Sequence, residues 1–192
     1  MKLKLFHNYM SYFNYSRKKL FVEKNSVLNI AKKNKTPFYL YSEKQIEENY
    51  INFAKIFKNI NPLICFAAKA NTNISIMRIL GKLGSGADVV SGGELLKALK
   101  AGIKPSKIVF SGVGKTEEEL KLAIKNKILL INVESESEAI LINKIGKKVN
   151  KVISIGFRIN PNVDAKTHKK ISTGKSENKF GVSIKNFSSF YK

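Results

Sequence analysis

From residue 61 onward the sequence alternates apolar runs with amphipathic segments, and this alternation constrains the fold more than any other feature. The apolar runs are nearly continuous, which is typical of strands that are buried on both faces. The segments between them repeat apolar residues at helical spacing. The sequence therefore predicts an α/β protein with a parallel sheet covered by helices, in which the strands are PLICFAA, ADVVS, KIVFSG, ILLINVES and VISIGFRINP.

Two ways of closing such a sheet are open at this point. An open doubly wound sheet usually has a glycine-rich phosphate-binding turn after its first strand, whereas AKANTN follows the first apolar run here. A (β/α)8 barrel has eight strands and typically about 250 residues. This chain has 192 residues and five such runs. Composition and periodicity do not decide between the two folds.

The first 60 residues carry separate signals. LFVEK (residues 20–24) predicts a short strand, SVLNIAKKN (26–34) a helix, and the aromatic-rich TPFYLYS (36–42) another strand. Ser42 predicts a helix N-cap, with Gln45 as its partner in a capping box. One face of the helix that follows carries Ile46, Tyr50, Phe53 and Phe57.

The net charge of +21 does not by itself indicate a nucleic-acid-binding protein. Only three of the 35 basic residues are arginines, the residue type that makes bidentate contacts to bases. The lysines are scattered along every segment, usually on the polar side of a helical pattern. We interpret them as solvated surface charge and expect no nucleic-acid partner.

The sequence gives no sign of a membrane segment or of export. No apolar run approaches the ~20 residues that a membrane span needs. The beginning, MKLKLFHNYMSYFNYSRKK, lacks the apolar core of a secretory signal. A single cysteine, Cys65, cannot form an internal disulfide, which fits a reducing compartment. We therefore expect a cytoplasmic protein without membrane contacts.

Lys69 stands at the end of the first apolar run, where a barrel would place catalytic groups. A lysine whose amine enters an apolar pocket becomes nucleophilic and can form a Schiff base with an aldehyde such as pyridoxal phosphate. A lysine can also reach solvent from a strand end, and the local sequence alone favours this second interpretation. Other candidates at run ends are Asp88, Ser91, Ser111, Glu134 and Arg158.

In GSGADVVSGGE (residues 84–94), Asp88 follows a glycine-rich turn, and Ser91 and Glu94 come after it. Asp88 could carry the charge opposite Lys69, or it could be an exposed carboxylate at a strand end. Ser91 predicts an N-cap with Glu94 as its capping partner, and a contact of Glu94 in an active site is an equal alternative.

FSGVGKT resembles the end of a nucleotide-binding P-loop, but the position that needs the first glycine is Val109. A strand–turn–helix junction explains the same residues, with Thr116 as the N-cap and Glu119 as its partner. We therefore expect no P-loop here.

The segment RINPNVDAKTHKKISTGKSENKFG is long for a loop within an α/β unit, and such loops tend to be functional. It contains His168 and Ser172. No second histidine or cysteine stands at ligand spacing from His168, so we predict no metal site.

The run from about residue 20 to residue 184 resembles the N-terminal part of the diaminopimelate decarboxylase family. These enzymes belong to the pyridoxal-phosphate-dependent group that also includes decarboxylases of ornithine and arginine. The resemblance lies in TPFYLYS, CFAAKAN, GSGADVVSGGELLKALKAG, IVFSGVGKT, INVESESE and RINPNVDAKTHKKISTG with ENKFG. These motifs cover most of the chain and keep the family's order.

The resemblance implies a partial (β/α)8 barrel of the alanine-racemase type. Residues 1–35 would then form an N-terminal extension and the start of a β-domain, and residues 36–192 an incomplete pyridoxal-phosphate-binding barrel. The implied reaction is decarboxylation of meso-diaminopimelate to L-lysine. The implied partners are this amino-acid substrate and a second copy of the enzyme in a homodimer.

The same resemblance implies roles for individual residues. Lys69 would bind pyridoxal 5'-phosphate covalently and serve in catalysis, while Asp88 and Glu94 would lie near that lysine. Arg158 would lie near the cofactor at the end of a later strand. His168 and Ser172 would belong to a loop at the substrate entrance.

Several positions depart from the family pattern. Phe66 and Ala68 replace a usual tyrosine and valine, and Lys169-Lys170 replace a usual Pro-Tyr after His168. The family's later motifs, which supply the ring-stacking histidine, the phosphate-binding turn and the acid for the pyridine nitrogen, do not follow Gly181. We therefore expect the chain to be inactive alone. The alternatives are a decarboxylase of ornithine or arginine, and a non-catalytic half-barrel that pairs with a second polypeptide through an exposed VISIGFRI edge.

Overall fold

A computed structural model describes residues 12–161, 163 and 181–183. The chain divides into two compact units, Met1–Pro62 and Leu63–Lys192, which are described separately below. The division after residue 35 concerns the domains of a longer enzyme, and it stays a prediction. Among the described residues, no helix is both long and apolar enough to cross a membrane.

The first unit contains a three-stranded antiparallel sheet and two helices. The strands β1 (Phe13–Ser16), β2 (Lys19–Val22) and β3 (Asn25–Ser26) pair in the order β1-β2-β3. Helix α1 (Val27–Lys33) follows at once, and α2 (Glu43–Ile56) completes the unit. The strand and helix predicted for residues 20–34 are thus confirmed to within two residues.

The strand predicted for TPFYLYS is wrong, because residues 36–42 form no strand. A strand needs a partner for its backbone hydrogen bonds, and no described strand pairs with this segment. Pro37 also lacks an N–H group. The aromatic side chains that suggested a buried strand are therefore largely exposed, Tyr39 most of all.

The N-cap predicted at Ser42 is confirmed, but the Gln45 side chain does not complete the predicted capping box. Ser42 Oγ accepts a hydrogen bond from the Gln45 N–H at 3.1 Å. The Gln45 side chain donates to Asn49, so the capping box is incomplete. Ser42 instead donates its own proton to Glu23 Oε1 at 2.8 Å. This bond ties the start of α2 to the turn after β2.

In its described residues, the second unit alternates five parallel strands with four helices. The strands are β4 (Cys65–Ala67), β5 (Gly86–Val89), β6 (Ile108–Phe110), β7 (Leu130–Val133) and β8 (Ile155–Phe157). The helices between them are α3 (Ile74–Lys82), α4 (Gly92–Lys100), α5 (Glu117–Lys125) and α6 (Glu136–Lys148). A short parallel pair follows, formed by β9 (Ile159–Asn160) and β10 (Val182–Ser183).

The strand order decides between the two closures. The five strands are parallel and pair in the order β4-β5-β6-β7-β8, so each strand lies beside its neighbour in sequence. A doubly wound sheet reverses direction at a switch point and so brings non-consecutive strands together. Continuous winding in one direction is the arrangement of a (β/α)8 barrel. The predicted partial barrel is therefore confirmed.

The two faces of this sheet differ in burial. Side chains that point toward the helices form the core, which includes the fully buried Ala87, Val89, Ile108, Phe110 and Val133. The alternate positions Asp88, Val109 and Asn132 lie on the other face and are only partly buried. Because side chains alternate along a strand, these positions line the inside of the barrel arc.

Candidate functional site

The candidate site lies where the carboxyl ends of the parallel strands meet. The register places Ala67 opposite Asp88 and Asn132 opposite Gly156, so the ends of neighbouring strands are level with one another. Residues just beyond these ends share one edge of the sheet. This edge is where barrel enzymes carry their catalytic groups.

Lys69 lies in a 3-10 turn, Ala68–Ala70, directly after β4. Its side chain is exposed, which contradicts the expectation of an apolar pocket around the amine. β4 pairs only with β5 among the described strands, so one side of the lysine is open. Within the described residues, Lys69 makes no side-chain hydrogen bond or ion pair. The amine is therefore an unpaired primary amine at the site edge.

Asp88, on β5, takes part in a chain of hydrogen bonds that crosses three strands. Ser111 Oγ, just after β6, donates to Asp88 Oδ1 at 2.5 Å. Asn132 Nδ2, on β7, donates to Ser111 Oγ at 3.0 Å. Asp88 is therefore not an isolated surface carboxylate. Burial raises the pKa of the nearby Cys65 thiol, and the charge of Asp88 raises it further.

Glu94 holds the turn after β5. Ser91 Oγ caps α4 by accepting from the Glu94 N–H at 3.2 Å, as predicted. Glu94 Oε2 accepts from the Val90 N–H at 2.8 Å, one residue before the cap. The structure thus gives Glu94 a backbone contact in the turn that follows Asp88.

The turn after β7 repeats this arrangement. Ser135 Oγ accepts from the Glu138 N–H at 3.3 Å, and Glu138 Oε2 accepts from the Glu134 N–H at 2.8 Å. The same pairing of serine and glutamate, three residues apart, therefore fixes two of the turns at the site edge.

Glu119 caps two helices at once. The capping box with Thr116 at the start of α5 is confirmed. In addition, Glu119 Oε1 accepts from the Gly92 N–H, in the first turn of α4, at 2.7 Å. The Gly92 N–H, and after it the Thr116 N–H, hold the pKa of Glu119 below its usual value.

Lys115 is a residue whose role the sequence analysis missed. Its side chain has no exposed surface, and its ammonium donates to Glu138 Oε1 at 2.7 Å. It also donates to the carbonyl oxygens of Gly112 at 2.7 Å and Asn132 at 2.6 Å. With these three contacts the ammonium is fully used, which rules out a phosphate-binding role for the lysine of FSGVGKT.

Arg158 follows β8 and pairs with Glu134, which follows β7. Arg158 Nη1 lies 3.2 Å from Glu134 Oε1 and 3.4 Å from Oε2. The glutamate side chain is 4% exposed and the arginine side chain 42% exposed. The buried carboxylate therefore fixes one side of a guanidinium whose surface is still partly open.

Gly181 brings the end of the long loop back to this arginine. The Val182 N–H donates to the Arg158 carbonyl at 2.7 Å. Gly181 has a φ of +82°, and a Cβ there would lie 2.7 Å from the same carbonyl oxygen. Only glycine fits this position without strain.

Two further predictions concern the residues of the long loop and the absence of a metal site. His168 and Ser172 lie outside the described residues. Among the described residues, no group of three or more His, Cys, Asp or Glu side chains could hold a metal ion.

The fold and site together define a class of protein. The family model "Pyridoxal-dependent decarboxylase, pyridoxal binding domain" matches residues 43–192. The chain therefore belongs to this family of pyridoxal-dependent decarboxylases.

Its relatives narrow the class further. The chain is 55% identical to the diaminopimelate decarboxylase of Helicobacter pylori strain J99 over 151 residues, which are 79% of this chain and 37% of that protein. It is 46% identical to the diaminopimelate decarboxylase of Aquifex aeolicus over 183 residues, 95% of this chain and 43% of that protein. The chain thus spans about two fifths of the length of these relatives.

Solved structures support the same relationship. Diaminopimelate decarboxylase from H. pylori, in complex with L-lysine, matches with a TM-score of 0.82 and 49% identity over 85% of this chain and 42% of that one. The diaminopimelate decarboxylase from M. jannaschii, also in complex with L-lysine, matches with a TM-score of 0.81 and 41% identity, over 93% of this chain and 43% of that one. An arginine decarboxylase of a Chlorella virus, at 23% identity, shares the fold.

Proposed function

We propose that this chain supplies the lysine-bearing part of a pyridoxal-phosphate-dependent decarboxylase that converts meso-diaminopimelate to L-lysine. The observation that carries this proposal is the pair of related structures, 49% and 41% identical, that hold L-lysine. Lysine is the product that such a reaction releases. The matched region includes the strand ends at which Lys69, Asp88 and Arg158 lie.

The described residues fit the proposed cofactor. An aldehyde needs a primary amine that no carboxylate holds, and Lys69 offers one at the carboxyl edge of the sheet. An anionic group needs a fixed cation, and Arg158 is oriented by Glu134 while its side chain stays 42% exposed. We therefore assign covalent attachment of the cofactor to Lys69 and electrostatic stabilisation of an anionic group to Arg158.

When bound, pyridoxal phosphate supplies a ring that accepts the electron pair left behind by the departing carboxylate. Lys69 would hold this group through its amine, and the same amine would move a proton at the substrate carbon that loses the carboxylate. Asp88 lies on the strand next to the one that leads into Lys69, with its carboxylate bonded to Ser111. Glu94 contributes to the site by fixing the backbone of the turn that carries Ser91.

The proposal also extends to parts of the enzyme that the structure does not describe. His168 and Ser172 are proposed to face the substrate entrance. A homodimer and a cytoplasmic location are proposed from the resemblance and from the sequence, and the scattered lysines are proposed to be solvated and free of nucleic acid. A decarboxylase of ornithine or arginine is the alternative, since the same fold serves an arginine decarboxylase.

A chimera tests the proposed activity. Residues 1–192 of this chain are joined to the remaining segment of the H. pylori J99 relative, and carbon dioxide release is measured with three substrates. We expect turnover of meso-diaminopimelate at least about tenfold above that of ornithine and arginine, a difference of ~1.4 kcal/mol in barrier. Lys69→Ala should abolish it, while Lys82→Ala, on exposed α3 surface, should not. Preferred turnover of ornithine or arginine would contradict the proposal.

A further inference from the structure

The Asp88 carboxylate accepts its hydrogen bond from the end of β6, on the opposite side of β5 from Lys69. β5 lies between β4, which leads into Lys69, and β6, which leads into Ser111. The carboxylate accepts the Ser111 proton at 2.5 Å. No ion pair joins Asp88 to Lys69, and both residues lie within the described part of the chain.

Asn132 holds Ser111 in place for this contact. The side-chain amide of Asn132 donates to Ser111 Oγ at 3.0 Å. Its backbone carbonyl accepts from the buried Lys115 ammonium at 2.6 Å. On the next strand, a Cβ at Gly156 would lie 3.0 Å from Asn132 Oδ1, so the glycine leaves room for the amide. The hydroxyl therefore has a fixed donor behind it and turns its own proton toward Asp88.

Asp88 lies on the strand next to the one that leads into Lys69. Ala67 is the register partner of Asp88, and Lys69 is two residues further along the chain. A carboxylate that turned toward Lys69 would accept hydrogen bonds from its side-chain nitrogen. A nitrogen held in this way is less available to attack a carbonyl. The direction in which Asp88 is held thus decides whether Lys69 has a partner.

We propose that Ser111 and Asn132 are positioning residues that hold the Asp88 carboxylate toward β6 and so keep the Lys69 amine free for an aldehyde. This inference rests on the proposed function, in which Lys69 is the residue that binds the cofactor. It adds two residues that do not touch the lysine and act on it through Asp88.

The test measures the reactivity of Lys69 without any cofactor. The full chain is treated with a limiting amount of acetic anhydride at pH 8, and acetylation of each lysine is measured by peptide mass spectrometry. Ser111→Ala should slow acetylation of Lys69 at least about threefold relative to Lys82, because the released carboxylate is then free to pair with the Lys69 side chain. Ser111→Thr keeps a hydroxyl and should restore the original rate. Ser106→Ala, in the exposed 3-10 turn (Pro105–Lys107) that precedes the same strand, is the matched control and should have no effect.

A double-mutant cycle separates positioning from a loss of packing. In an Asp88→Asn background, Ser111→Ala should no longer slow Lys69. Asn132→Asp has nearly the same shape but, when ionised, cannot donate to Ser111, so it should slow Lys69 as Ser111→Ala does. It also provides the test if Ser111→Ala does not fold. An unchanged Lys69 rate in the folded variants, or equal slowing in both backgrounds, would overturn the proposal.

The same protein distinguishes this inference from the proposed function. If pyridoxal phosphate fails to label Lys69 while the acetylation pattern holds, the proposed function is wrong and the positioning by Ser111 and Asn132 stands. If labelling succeeds and the acetylation pattern fails, only the positioning role is lost.

Discussion

At the scale of single residues, a few polar side chains hold the turns at the carboxyl edge of the sheet through hydrogen bonds. Lys115 is the extreme case, since its buried ammonium contacts one carboxylate and two carbonyl oxygens. A buried charge is tolerated only when it is paired and hydrogen-bonded in this way. Lys115 therefore joins the turn after β6 to the end of β7 and to α6.

Replacing this lysine should be costly. Lys115→Met keeps much of the volume but leaves Glu138 as an unpaired buried charge, which typically costs about 3–5 kcal/mol. The matched control is Lys121→Met, whose partner Glu117 and own side chain are both well exposed; such a pair contributes at most about 1 kcal/mol. Denaturant unfolding measures the loss in free energy of unfolding for both variants. Equal losses for the two variants would contradict the role of Lys115.

At the scale of elements, the order of strands and helices from residue 61 could be predicted from apolar periodicity, because burial on both faces dictates it. The capping of α4 and α5 could also be predicted, because Ser91 and Thr116 each bond a backbone group three residues ahead. The bond from Glu119 to Gly92 could not, because it joins residues 27 positions apart. The strand expected at residues 36–42 failed because a strand depends on a partner that local sequence does not specify.

The double cap at Glu119 predicts a pH dependence. The pKa of Glu119 is lowered in the folded protein, so its contribution to stability is present above the unfolded value of 4.5 and is lost as pH falls below it. Glu119→Gln should therefore make the free energy of unfolding less dependent on pH in this acidic range. Glu118→Gln, an exposed neighbour on the same turn, is the control. Urea titrations between about pH 3 and 6 measure the difference, and parallel curves for wild type and Glu119→Gln would refute the assignment.

At the scale of the whole molecule, the described strands of the second unit form an arc in which β4 and β8 lie at the edges. A cavity of about 680 Å³ lies beside α6 and β8, where the next helix of a (β/α)8 barrel would pack. Among the described strands, β8 lies at the edge predicted for VISIGFRI. Family membership and position of Lys69 at a strand end could both be predicted from sequence motifs. The local sequence favours an exposed amine without deciding it, because its exposure depends on which strands flank β4.

The most direct test of the central claim is a map of where pyridoxal phosphate attaches. The full chain is incubated with excess cofactor and reduced with borohydride, and the labelled lysines are identified by peptide mass spectrometry. We predict that Lys69 is labelled in preference to the other lysines, because its amine lies at the carboxyl edge of the sheet and is unpaired within the described residues. Lys69→Ala and Lys69→Arg should both remove this label, since a guanidinium cannot take the place of the amine. An even spread of label over the surface lysines, or covalent attachment that survives in Lys69→Ala, would contradict the account.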